Sequence, residues 1–219
     1  MTEARVKILK AAAALFAGRG FHGTTTRAIA KKAAVNEGTV FKIFGNKRRL
    51  YRETLEWKLH ELTDRSLPAQ SPEPHDLVKH VIEAREQDPY IMRLILFGAL
   101  EALPEFKKVL HAWRRDYYSR LGAIVEQQKA HGTVAEDVPS MFAAVTLTGF
   151  AIYHYLFFDI FKIDEDIPIS RNELTEFYYR LWRDGLASDI PRNGKRTEEV
   201  TEAPEGGVLA CASFEKFPA

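Results

Sequence analysis

The sequence predicts an all-α protein, with an N-terminal three-helix domain built around a helix-turn-helix pair and a larger helical domain after it. Three observations carry that expectation. Helical periodicity dominates the 219 residues, no stretch alternates convincingly as a strand, and proline, glycine and acidic loops fall between the periodic segments.

Val6, Leu9, Ala13 and Phe16 recur at helical spacing, which makes the N-terminus an amphipathic helix rather than a signal peptide. Thr25 has the side-chain oxygen to cap a second helix over 26–33, on which Ile29, Ala30 and Ala33 form a small apolar face. A turn at 34–36 leads into a third helix over 37–44, where Val40 and Phe44 stand four apart and face inward. Asn46 caps a fourth helix over 47–65, whose Leu50, Leu55, Leu59 and Leu62 suit it to bridge two domains. The proline-rich SLPAQSPEPHD follows as a linker. Further helices are expected over 75–87, 89–100, 104–130, 139–160 and 171–187, broken by Pro89, Pro104, Gly132, Pro139 and the acidic loop KIDEDIPIS. From Ser188 onward the chain lacks apolar periodicity and reads as a flexible tail. The expected organisation is a domain over 1–50, a second over 51–187 and a tail over 188–219.

Charge divides along the same lines. Residues 1–52 hold twelve Lys or Arg against Glu3 and Glu37, a balance of +10, while the remainder balances at −9 and the whole chain at +1. Cations concentrated on a helix pair suit docking on a polyanion, here double-stranded DNA. On the third helix Gly38, Thr39 and Lys42 point outward, with Phe41 and Ile43 at the flanks. Gly38 has no side chain, so the helix start can approach a nucleic-acid backbone, while Thr39, Phe41 and Lys42 meet the groove. Thr25, Thr26 and Arg27 are expected at the backbone or groove edge. Lys47, in the first turn of the fourth helix, is expected to hold phosphate together with that helix's N–H groups. The alternative is a helical small-molecule-binding protein whose N-terminal pair contacts another protein, and it leaves the excess of cations unexplained.

Thr25, Ile29, Ala30, Ala33, Val35, Gly38, Val40, Phe44, Asn46, Lys47 and Leu50 agree in one register with the pattern of the tetracycline-repressor (TetR) family of transcriptional regulators, which this segment resembles. The stretch AAALFAGRGFHG over 12–23 is similar to the family's first helix and its Gly-Phe exit. Three positions depart from the pattern. Ala34 stands where a turn glycine is usual, which costs about 1 kcal/mol if that residue is left-handed. Phe41 replaces a tyrosine whose hydroxyl meets a phosphate, and Ile43 replaces an aromatic residue or histidine. The resemblance implies a C-terminal ligand-binding and dimerisation domain, with a homodimer formed through the last two helices. It also implies a palindromic operator, and a repressor that leaves it when a small-molecule effector binds among the later helices.

Residues 141–161, MFAAVTLTGFAIYHYLFFDIF, are long enough to span a bilayer, but threonines, His154 and Asp159 interrupt them and no second such segment exists. The expectation is a helix buried on two sides, against its own domain and a partner subunit, without membrane contact. The seven histidines show no metal-ligand spacing, and neither a glycine-rich phosphate loop nor a Gly-x-Ser-x-Gly elbow occurs. No catalysis, metal or cofactor is therefore expected. Cys211 is the single cysteine, which rules out an intrachain disulfide and fits a cytoplasmic location. Trp113, Tyr117, Leu121, Ile124 and Gln128 share one face of the helix over 104–130 and read as core. For the effector pocket that the resemblance implies, the candidates are Phe97, Trp113, Tyr117, Tyr153, His154 and Phe157, a set suited to an apolar or aromatic compound.

Overall fold

The computed structural model describes residues 2–67 and 73–186; the centre of the expected linker, the expected tail and Cys211 lie outside them. Among the described residues nine α-helices run in order: α1 (Glu3–Arg19), α2 (Thr26–Lys32), α3 (Glu37–Phe44), α4 (Lys47–Ser66), α5 (Pro74–Glu86), α6 (Ile91–Leu100), α7 (Pro104–Ala130), α8 (Ser140–Tyr155) and α9 (Arg171–Leu186). The described residues contain no strand.

Local chemistry explains the boundaries. The Thr25 hydroxyl accepts from the Ala28 N–H at 3.1 Å and the Asn46 side chain accepts from the Arg49 N–H at 2.8 Å, so both expected caps are in place. The expected start of α6 at 89 moves to Ile91, because Asp88 accepts from the Tyr90 N–H at 2.9 Å and closes a turn over Pro89. The expected helix over 139–160 changes type at its end, where Leu156–Ile160 form a π-helical turn before left-handed Lys162.

α4 is the spine, packing against α1, α5, α6 and α7. Its buried Thr54, Thr63 and Ser66 hydroxyls donate to the Leu50, Leu59 and Leu62 carbonyls at 2.7, 3.0 and 2.7 Å. Polar side chains thus enter a packed face with their bonds met. Two apolar cores lie along this spine. The first joins Phe16, Ile29, Val40, Phe44, Leu50, Leu55 and Leu59 to Ile91, Leu94, Leu103 and Phe106, so the N-terminal helices are seated on α6 and the start of α7. The second gathers Leu77, Val81, Tyr117, Leu121, Val125, Leu147, Tyr178 and Trp182 from α5, α7, α8 and α9. A Cβ at Gly98 would lie 2.3 Å from the Phe106 ring, which lets α6 and α7 approach more closely than any side chain permits.

α8 buries Ala143, Ala144, Leu147, Ala151 and His154 on one face. Trp182 of α9 donates to the Ala143 carbonyl at 3.4 Å, and Tyr178 stacks on Phe150 with centroids 4.7 Å apart. The opposite face leaves Phe142 (69% exposed), Val145, Ile152 and Tyr153 in solvent, joined by Phe177 and Leu181 of α9.

Candidate nucleic-acid interface

α2 and α3 are joined through Ala34, Val35 and Asn36. Ala34 has φ +54°, the left-handed conformation that an alanine adopts at a cost of about 1 kcal/mol. Val35 N–H donates to the Ala30 carbonyl at 3.0 Å and closes the turn. Ile29, Ala30, Val40 and Phe44 are buried between the two helices and the rest of the first core, which fixes the outward face of α3. That face presents Gly38, Phe41 (46% exposed) and Lys42, with Thr39 half-buried beside them and Ile43 packed against the core. A Cβ built at Gly38 would meet nothing within 4 Å, so the protein itself has no need of a glycine there.

Thr25 serves as the α2 cap. Thr26 donates to Glu37 at 2.6 Å, a clasp between the starts of α2 and α3 that also occupies the one acid on α3. Arg27 is exposed. Two neighbouring arginines are partly committed: Arg48 pairs with Glu105 at 3.0 Å and Arg49 with Glu53 at 2.8 Å.

Lys47 opens the first turn of α4, as expected, and its ammonium is turned inward. Its ammonium donates to the Phe21 and Thr24 carbonyls, both at 2.9 Å, and sits 4.2 Å from the centroid of the Phe21 ring. Burial pulls its pKa below the ordinary lysine value. The reason is geometric: the connection from α1 to α2 ends in carbonyls with no helical partner, and the first turn of α4 passes beneath them. The same connection is held from the other side, since Glu101 accepts from the Phe21 and His22 N–H groups at 2.8 and 3.0 Å. Gly20, at φ +69°, makes room for that carboxylate, because a Cβ there would come within 2.5 Å of Glu101 Oε1. Arg93 adds a bond from its Nε to the Ala17 carbonyl at 2.9 Å. Sequence reasoning missed Glu101 and Arg93, whose partners lie 76 to 80 residues away and leave no periodic signal.

The six candidate pocket residues divide among separate places. Trp113 stacks on Tyr117 at 4.8 Å, donates from its indole to Thr63 at 2.8 Å, and lines a cavity of about 270 Å³ with Leu59, Val109 and Ala112. Tyr117 is fully buried, with its hydroxyl unpartnered. Tyr153 and the half-buried Phe157 stack at 5.8 Å on the outer side of α8. Phe97 is half-buried beside Gly20. His154 (1% exposed) belongs to a polar cluster, with Nε2 3.3 Å from the Arg171 carbonyl and Nδ1 3.1 Å from Glu86. Contact with His154, and then Arg171, holds the Glu86 carboxyl below the usual carboxylate range against the opposing effect of burial. No group of three or more His, Cys, Asp or Glu among the described residues is placed to hold a metal ion.

A capped helix pair with a bare outward helix, on the cationic end of the chain, defines a helix-turn-helix DNA-binding regulator. Residues 8–54 match the family described as bacterial regulatory proteins, tetR family. The chain is 25% identical over 155 residues to the HTH-type transcriptional repressor SCO4008 of Streptomyces coelicolor, covering 68% of this chain and 78% of that one. It is 33% identical over 126 residues to the HTH-type transcriptional repressor Rv3405c of Mycobacterium tuberculosis, covering 55% of this chain and 64%, just under two thirds, of that one. The fold is shared with Salmonella enterica GusR, at a TM-score of 0.68 and 20% identity over 85% of this chain and 98% of that one. It is shared also with FadR from Bacillus subtilis, solved in complex with stearoyl-CoA, at 0.65 and 19% over 83% and 98%. Residues 8–54 thus form a DNA-binding domain of the TetR family type, and the chain is similar to HTH-type transcriptional repressors.

Proposed function

We propose that the protein is a repressor that binds a palindromic operator as a homodimer and releases it when a small molecule binds. The observation that carries the DNA reading is the face of α3. Gly38, Thr39, Phe41 and Lys42 form an outward surface in which the glycine answers no demand of the protein's own packing. A major groove supplies the missing demand, since a backbone that approaches phosphate or base edges tolerates no Cβ. Arg27 and the N–H groups at the start of α4 take phosphates, and Thr25 and Thr26 border the groove while serving as cap and clasp.

The dimer reading rests on the apolar stripe of Phe142, Val145, Ile152 and Tyr153 with Phe177 and Leu181, which a partner's α8 and α9 would cover. Two reading heads on one duplex bind far more tightly than one. The effector reading draws support from the stearoyl-CoA bound by the structurally similar B. subtilis FadR and from the cavity beside Trp113. For release, the effector must prefer the conformation that does not fit the operator.

Duplex fragments recovered from the source genome by binding to the protein provide the test, followed by titration of the Gly38→Ala variant against the recovered site. Palindromic fragments are expected. The variant should fold with equal or greater stability, because alanine exceeds glycine in a helix by about 0.5–1 kcal/mol, yet bind its site at least about tenfold more weakly. Unchanged affinity would remove α3 from the groove, and no retardation of any duplex at low salt would overturn the DNA reading.

A further inference from the structure

A second cleft, of about 670 Å³, opens where α1, the end of α2, α4 and the turn before α6 meet. Its size lies within the range of small-molecule sites. It shares α4 with the Trp113 cavity and no other element, so it is a separate place in the fold. Alanines of α1, among them Ala14, give it a shallow apolar wall, and the Trp57 and Tyr90 rings line it as well.

Its charge is unbalanced in a specific way. Five of the lining side chains are lysine or arginine and two are acidic. Both acids are already consumed: Lys58 pairs with Glu61 at 2.6 Å and with Asp88, and Arg65 reaches Asp88 at 3.1 Å. Lys7 is paired with Glu3. Lys10 of α1 and Lys32 of α2 line the same cleft and remain exposed, with no acidic partner among the described residues. Arg65, also on the lining, carries a buried Nε with no hydrogen-bond partner, a donor whose isolation is costly until an acceptor arrives.

Unpaired cations beside a half-buried tryptophan and small apolar residues recognise a flat ring that bears a negative group. A carboxylate is drawn to Lys10 and Lys32, while the ring covers Trp57 and the alanines. We propose that this cleft binds a small aryl carboxylate, independently of dimerisation and of any effector among the later helices. DNA phosphate is the competing use of the two lysines, but a duplex backbone has no use for a tryptophan-lined recess. Because Lys32 directly precedes the turn into α3, occupancy also ties the reading head to α4 and the 87–90 turn.

The experiment is calorimetric titration of the full chain with 2-naphthoate and with the neutral 2-naphthamide. Naphthoate is expected to saturate one site per chain and to bind at least about tenfold more tightly than the amide. Lys10→Glu changes an exposed residue and leaves folding intact; it should weaken naphthoate about tenfold and leave the amide unchanged. Trp57→Leu should weaken both compounds, and Trp113→Phe neither. Absence of saturable naphthoate binding, or binding indifferent to Lys10→Glu and Trp57→Leu, overturns the proposal. So does a Lys10→Glu variant that loses DNA affinity while naphthoate binding is unchanged, which would give the lysine to the duplex.

Discussion

Phe41 and Phe142 are both aromatic rings that the fold leaves in solvent, and their surroundings are opposite. Phe41 stands on α3 beside Lys42 and a bare glycine, at the end of the chain that carries a balance of +10. Phe142 stands on α8, where Ser140–Ile160 contains no lysine or arginine at all. An exposed ring among cations suits a polyanion, which supplies the counter-charge and an edge to lean on. An exposed ring on a helix without lysine or arginine suits a surface like itself. Exposure alone says little; the charge within a few ångströms decides what kind of partner fits.

Phe142→Glu should produce the largest effect. A carboxylate in the middle of this apolar face cannot be desolvated without a partner, so sedimentation should show monomers. Affinity for a duplex with two half-sites should fall by about a hundredfold or more, with single half-site binding unchanged. A variant that stays dimeric would break the contrast between the two rings.

Lys47→Ala comes next and sharpens the head's side of the comparison. Losing two charge-assisted bonds to the Phe21 and Thr24 carbonyls should lower unfolding free energy by about 2 kcal/mol in denaturant titration. Because the ammonium is turned inward, the slope of log affinity against log salt should stay near that of the parent; a drop of about one unit would return this lysine to phosphate.

A smaller effect of opposite sign is expected from Ala34→Gly. Relief of the left-handed alanine should raise stability by about 1 kcal/mol, and the duplex affinity should hold.

The smallest effect belongs to the body. Glu176 on α9 hydrogen-bonds His75 on α5 at 2.8 Å and raises its pKa above the ordinary 6.5, with burial opposing. The folded state therefore binds this proton more tightly than the unfolded chain does. Its stabilising contribution is complete below pH 6.5 and is lost as pH rises through the higher folded value. Thermal melts across that window should show a slight fall in Tm that His75→Gln abolishes.

Much of the head was legible before the fold was known, because its determinants are local. Thr25 and Asn46 are caps whose partners lie three residues on, and Val40 and Phe44 need only helical spacing to face inward. Ala34 stands out against the family pattern, which has a turn glycine there, and its φ is left-handed. The inward contacts of Lys47 are not legible, because its type and position suit phosphate equally well and only the tertiary course of residues 20–24 brings two carbonyls to it. The pocket candidates scattered for a similar reason. Aromatic type does not tell which side of α8 a ring occupies, and Tyr153 and His154, adjacent in sequence, fall on opposite sides.

The loop between α1 and α2, held by Lys47 from one side and Glu101 from the other, limits how freely these modules can be recombined. A chimera that transplants residues 1–50 onto another regulator's helices would bring Gly20 and the two N–H groups without the carboxylate that meets them. The graft therefore has to carry the end of α6 with it, and the heritable unit of this reading head includes a residue 80 positions away.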